Sequence, residues 1–308
     1  MKYLAVNSIF LLSSILSFSQ SMQPAMYKDV VFNKVIIQKE ILYDSNNNIK
    51  TKYRQFDFYE PENDSSIKRP LIIWMHGGGF KYGSKNAKEI TIWGNEFAQR
   101  GYAFAAINYR LSKKNTLFKF KDLVEACYEN VDDVKKAILF FKLNATKFNI
   151  DTNKIILGGN SAGGVIALQS VYSNSADMQN VIDSNKIIAG TGKYNTENIA
   201  AIINFWGAIF NDAWLSRAKV PIVSVHGAKD KTVPIDHKGV AFFGSLAIHK
   251  KSDSLHIPND IKIYESYGHE LQKHFNPFFR SNATKKRWKE AAQFAANFLY
   301  DNLLKQHN

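Results

Sequence analysis

The sequence predicts an α/β fold: a mostly parallel central sheet with helices on both faces. Three observations point there. Continuous apolar runs such as LIIWM (71–75), KIILGG (154–159) and IAAIINFW (199–206) suit strands buried on both faces. Segments with apolar residues at helical spacing lie between them, as in Leu123, Val124, Cys127, Val131, Val134 and Ile138. The 308 residues are 45% hydrophobic and 22% charged, enough for one such unit with a sizeable core and unlike a disordered chain.

Taken in order, the chain opens with MKYLAVNSIFLLSSILSFSQ. Lys2, an apolar stretch and the small-x-small pattern Ser17-Phe18-Ser19 predict a secretory signal peptide over 1–19 and a single folded domain over 20–308. The apolar stretch is too short and serine-rich for a stable membrane anchor, so the protein is expected outside the cytoplasm, periplasmic or extracellular. Cys127 is the only cysteine, so no intrachain disulfide is available. Residues 30–37 and 51–59 read as strands of a hairpin across the polar turn DSNNN. That turn lacks the glycine and the terminal acid of a calcium loop. Strands follow at 71–75, 102–110, 154–159, 199–206, 220–226 and 261–267. Helices are expected at 86–100, 121–147, 162–172, 235–248 and 283–305, and 174–198 reads as polar and irregular.

In a parallel sheet covered by helices, ligands sit beyond the carboxyl ends of the strands. That rule selects the loops HGGGF after 71–75, GNSAGG after 154–159, HGAKD after 220–226 and YGHE after 261–267. Gly159-Asn160-Ser161-Ala162-Gly163 fits the G-x-S-x-G nucleophile elbow, in which a serine sits on a sharp strand-to-helix turn. Alone it is a common pattern; His76-Gly77-Gly78-Gly79 after a buried strand is far rarer. An acid following the serine and preceding the histidine is expected at Asp230, with Asp212 and Asp236 as runners-up. Gly268 frees the backbone to aim His269 as the base, with His274 as the alternative; His226 precedes the acid and reads as structural.

With these motifs the chain resembles the α/β-hydrolases, within them the HGGG carboxylesterases of the hormone-sensitive-lipase type, and the resemblance covers nearly all of residues 20–308. It implies Ser161 as nucleophile, His269 as base and Asp230 as its orienting acid. It also implies an oxyanion hole from the N–H groups of Gly78, Gly79 and Ala162, with His76 pinning the loop. No cofactor or metal is implied. The usual helical cap before the first central strand is missing, because residues 20–70 read as strands. No large cap domain is therefore expected. An open site of this kind resembles esterases that remove acetyl or feruloyl groups from polysaccharides.

The activity implied is hydrolysis of short-chain or aromatic carboxylic esters, small or polysaccharide-linked. A serine peptidase uses the same residues but normally adds a gating domain, and no blade repeats occur here. A binding protein on a hydrolase scaffold stays open as a third reading. The formal net charge of +13 is spread along the chain, its densest run being Lys285-Lys286-Arg287, and no basic-aromatic motif predicts a nucleic-acid partner. Phe80, Trp206, Phe210 and Trp214 are candidates for pocket walls or for core.

Overall fold

The computed structural model describes residues 24–184, 199–237, 242–276 and 278–305. The signal-peptide stretch 1–19 lies outside them. Strands β1 (Val35–Leu42) and β2 (Gln55–Pro61) form the expected hairpin, and β3 (Arg69–Met75) follows. Helix α1 (Lys88–Ala98) leads to β4 (Ala103–Ile107), and α2 (Phe120–Leu143) to β5 (Ile150–Asn160). Helices α3 (Ala162–Tyr172) and α4 (Ser175–Ser184) precede β6 (Ile199–Phe205). The short β7 (Ala208–Ile209) is followed by β8 (Ile222–Gly227), β9 (Phe243–Gly244), α5 (Ser245–Ser254), β10 (Asn259–Tyr264) and α6 (Asn282–Leu299).

One eight-stranded sheet runs β1-β2-β4-β3-β5-β6-β8-β10. β2 is antiparallel to β1 and β4, and every pairing from β4 to β10 is parallel. The pleat splits the core in two. Leu71, Ile73 and Met75 of β3 join one apolar cluster with α2 and α3. Ile72 and Trp74 join the other, with Trp93 of α1 and Trp288 of α6. The sheet is therefore buried on both faces, as the unbroken apolar runs predict. β7 and β9 make a separate two-stranded ribbon, and no large cap covers the sheet among the described residues.

Three expectations shift. The hairpin strands start later than 30 and 51. The backbone around Tyr27, Val31 and Phe32 is held on the carbonyls of Gln99 and Arg100, and Thr51–Tyr53 form a 3-10 turn. Within 174–198, α4 is regular. Asn174 caps it reciprocally with Asp177: Asp177 N–H donates to Asn174 Oδ1 and Asn174 N–H to Asp177 Oδ2, each at 2.9 Å. The helix expected over 235–248 begins only at Ser245. Before it, Gly244 passes so close to Pro234 that a Cβ would lie 1.9 Å from the Pro234 carbonyl oxygen, an approach suited to the β7–β9 ribbon. Cys127 is a free, buried thiol in α2, its pKa pushed up by burial.

Candidate active site

The stretch LGGNSAGGV occupies the end of β5 and the start of α3. Ser161 stands between them with φ 54° and ψ −120°, a conformation that costs a residue with a Cβ about 1–3 kcal/mol. The glycines permit it through proximity. A Cβ on Gly163 would lie 2.0 Å from the Met75 carbonyl oxygen, and one on Gly159 would lie 2.2 Å from the Gly163 carbonyl carbon. Strand and helix thus meet backbone to backbone. Ser161 N–H donates to Phe205 O at 2.9 Å, tying the elbow to the neighbouring β6.

The HGGG loop leaves β3 and lies against this turn; a Cβ on Gly77 would come within 3.3 Å of the Ser161 Cβ. Gly78 and Gly79 take φ +118° and +60°, the left-handed side that favours glycine. Their carbonyls are held within the structure: Gly78 O accepts from Lys81 and Tyr82 N–H, and Gly79 O from Thr116 Oγ1. His76 stacks on Tyr109 with centroids 4.1 Å apart and donates from Nδ1 to Gly77 O at 2.7 Å. Tyr109 in turn donates to His76 O at 2.6 Å. Burial lowers the His76 pKa to about 4, so the ring is a neutral brace at ordinary pH.

On the other side, Asp230 follows β8 and His269 follows β10. His269 Nδ1 is 2.7 Å from Asp230 Oδ2 and its Nε2 is 3.0 Å from Ser161 Oγ. A carboxylate only accepts, so Nδ1 carries the proton towards Asp230 and the neutral ring leaves Nε2 to accept from the serine hydroxyl. The other carboxylate oxygen, Oδ1, accepts from Thr232 N–H at 2.8 Å and Val233 N–H at 3.0 Å. His226 completes the shell. Its Nε2 lies 3.0 Å from Val233 O and 3.3 Å from Asp230 Oδ2, and its Nδ1 lies 2.7 Å from Ser245 Oγ. Asn204 donates to Ser245 Oγ and to Ser224 Oγ, both at 3.1 Å. Burial alone would raise the Asp230 pKa. Hydrogen bonds from His226 and His269 outweigh burial and hold the carboxyl well below the usual carboxylate range.

Residues 56–214, more than half of the chain, match the BD-FAE family. The chain belongs to the BD-FAE family. This BD-FAE chain is also similar to single proteins over shorter reach. Esterase LipC of Mycobacterium tuberculosis is 23% identical over 195 residues, 54% of this chain and 46% of LipC. Venom carboxylesterase-6 of Apis mellifera is 35% identical over 109 residues, 35% of this chain and 19% of that protein. The chain thus spans less than half the length of these curated relatives. Among solved structures, Thermogutta terrifontis esterase 2 phosphorylated by paraoxon superposes with a TM-score of 0.60 at 19% identity, covering 88% of this chain and 96% of that one. A truncated carbohydrate esterase from gut microbiota gives 0.55 at 17% identity, over 87% and 99%. Likeness at that level establishes the shared fold, that of the α/β-hydrolases.

In this BD-FAE structure the three residues singled out in sequence, Ser161, Asp230 and His269, meet in one hydrogen-bonded chain; Ala162 follows the serine, and Gly78 and Gly79 follow Gly77, which packs against it. The alternatives stand apart. His274 is exposed, while Asp212 and Asp236 line a separate cleft of about 410 Å³ with His237 and Lys250. Phe80, Trp206, Phe210 and Trp214 are all buried in the two apolar clusters, which makes them core rather than open pocket wall. His226, expected to be structural, is buried and braces the carboxylate of Asp230. Its spacing of four residues from Asp230 in HGAKD is the only local signal. Asn204 and Tyr109 have none. Among the described residues no group of His, Cys, Asp or Glu side chains is arranged to hold a metal ion.

Proposed function

We propose that this protein is a serine carboxylic-ester hydrolase that works through an acyl-enzyme on Ser161. One observation carries the reading: the continuous chain from Ser161 Oγ through His269 to Asp230, with links of 3.0 and 2.7 Å. Serine is a weak nucleophile at its own pKa. His269 Nε2 takes its proton as Oγ attacks the ester carbonyl carbon, and Asp230 stabilises the imidazolium that forms. The carbonyl oxygen becomes an oxyanion held by the N–H groups of Gly78, Gly79 and Ala162, one such donor being worth about 3 kcal/mol to the transition state. His269 then gives its proton to the leaving alkoxide, and the alcohol departs. Water repeats the sequence and releases the carboxylic acid. Every step uses protein groups, with no metal or cofactor assigned.

Short-chain or aromatic esters, acetyl or feruloyl groups on polysaccharides among them, suit a site with no large cap among the described residues. The structural likeness to a carbohydrate esterase favours the same class. We place the protein outside the cytoplasm on the strength of residues 1–19. The test is hydrolysis of p-nitrophenyl acetate by protein from Gln20 onwards and by a folded Ser161→Ala variant. The expected result is turnover that falls by at least about 1,000-fold in the variant. Equal rates in the two proteins overturn the assignment.

A further inference from the structure

The rim of the Ser161 site has a composition the ester chemistry does not explain. Three loops make it. Residues 111–119 sit on the HGGG loop: Ser112 N–H donates to Phe80 O, Thr116 donates to Gly79 O, and Lys81 Nζ donates to Lys114 O. The stretch after His269 includes Phe275, whose ring meets the His269 ring edge-on at 5.6 Å. The stretches 76–88, 110–121 and 271–280 contain ten Lys and Arg and no Asp or Glu. Four of the ten are ion-paired with carboxylates elsewhere: Lys85, Arg110, Lys114 and Arg280. The other six, Lys113, Lys119 and Lys273 among them, have no carboxylate partner among the described residues.

The same loops hold aromatic rings in water. Phe278 is 96% exposed, Phe118 85% and Phe279 69%, against a general rule that large apolar side chains gather inside. Two of these rings and Phe275 have polar or basic neighbours in sequence, whereas Phe278 lies between Pro277 and Phe279. Phe118 stands next to Lys119, Phe275 between His274 and Asn276, and Phe279 next to Arg280. An apolar insert for a lipid surface wants a continuous apolar face with charge set to one side. Exposed rings with basic residues nearby match a different object: a chain of pyranose rings, apolar on their faces, polar at their edges, and carrying carboxylates.

We propose that the rim binds a uronic-acid-bearing polysaccharide and that the ester cleaved at Ser161 is a substituent of that polyanion. The second half of this statement rests on the ester-hydrolase reading above; the first half does not. The exposed phenylalanines stack on sugar faces, and the unpaired lysines meet uronate carboxylates and draw the polymer in from a distance, an attraction that salt weakens.

The experiment uses the folded Ser161→Ala protein, so that binding is read without turnover. Its affinity is measured for polygalacturonate, for neutral arabinoxylan and for phosphatidylglycerol vesicles, at low and at physiological salt. Two further sets of changes are introduced: Phe118→Ser with Phe278→Ser, and Lys113→Glu with Lys119→Glu and Lys273→Glu. All sites are on exposed loops, and melting temperature reports that each variant folds. The expected result is binding to polygalacturonate at least tenfold tighter than to arabinoxylan, weakened by salt and reduced at least tenfold by either set. Equal affinity for the two glycans overturns the proposal. So does a loss confined to the lysine set, which means general polyanion attraction. Binding to vesicles in preference to polygalacturonate assigns the rim to a lipid surface instead. Turnover of p-nitrophenyl acetate by the unmodified protein is measured alongside. Its absence removes the hydrolase reading and leaves the binding result to stand or fall separately.

Discussion

The two sides of the candidate site are held in place by different physics. Ser161 and the HGGG loop are fixed by contact between backbones: β5, α3, β3 and the loop touch where glycine leaves nothing to separate them. The histidine that braces them, His76, is neutral. Asp230 and His269 are fixed by side-chain hydrogen bonds and charge, through His226, Ser245 and Asn204. The first side should therefore break when atoms are added and ignore pH. The second should tolerate changes of volume better and respond to pH.

The largest expected effect is on the steric side. Gly163→Ala places a Cβ 2.0 Å from a carbonyl oxygen of β3, and only backbone movement relieves it. We expect a loss of about 4 kcal/mol or more, read as insoluble protein or a collapsed denaturation midpoint. A soluble variant of near-native stability would show that the elbow yields more easily than its contacts imply. The HGGG loop gives a graded pair. At Gly78, an alanine meets both φ +118° and the Tyr82 carbonyl 2.1 Å away, and about 3 kcal/mol is expected. At Gly79, φ is +60° and the nearest obstacle is the movable Leu117 side chain, so about 1–2 kcal/mol is expected. Urea denaturation of the two variants should rank them in that order; the reverse order would mean that the loop relieves the Tyr82 contact more easily than its packing implies.

On the polar side, His226→Ala leaves Ser245 and Asp230 each short of a partner, at about 2 kcal/mol. Its distinguishing sign is in the pH dependence. Asp230 is charged well below the ordinary carboxylate pKa, so its stabilising contribution is present above that pKa and is lost as pH falls through the lower folded value. Without His226 the folded value rises towards the unfolded one, so the loss of stability on acidification becomes smaller and ends at a higher pH. Acid melting curves that merely shift in parallel would reduce His226 to a packing residue. The smallest effect is at Glu89 on α1. Burial raises its pKa to about 6, and Glu270 beside His269 adds to the rise against Arg280. The charged form is therefore disfavoured in the fold, a penalty absent near pH 4 and full above about 6. Glu89→Gln should raise the melting temperature at pH 7.5 and leave it unchanged at pH 4; an equal rise at both would remove charge as the cause.

The same division decides what was legible in the sequence. The steric side is local: glycines around Ser161 and after His76 announce backbone closeness within a few residues, and the buried strands announce themselves by unbroken apolar runs. Asp230 and His269 were found through chain order and position after a strand. The contact of His226 with Asp230 depends on a loop closing in space, and Asn204 reaches Ser245 across 41 residues. The capping pair Asn174 and Asp177 was readable and outweighs the polar composition that suggested an irregular segment. The late start of α5 was not readable, because the ribbon that displaces it pairs β9 with the distant β7.

The edge position of β10 gives the molecule a sense of time. Ser161 lies in the middle of the sheet and the middle of the chain, whereas its partner His269 arrives 108 residues later, just after the strand that closes the far edge. A ribosome that has delivered everything through the turn after β8 has made the serine and the carboxylate, and nothing to take the proton. Should synthesis stall there, the fragment is inert by construction. The reactive arrangement comes into being only with the docking of the final strand, so the last step of assembly also arms the site.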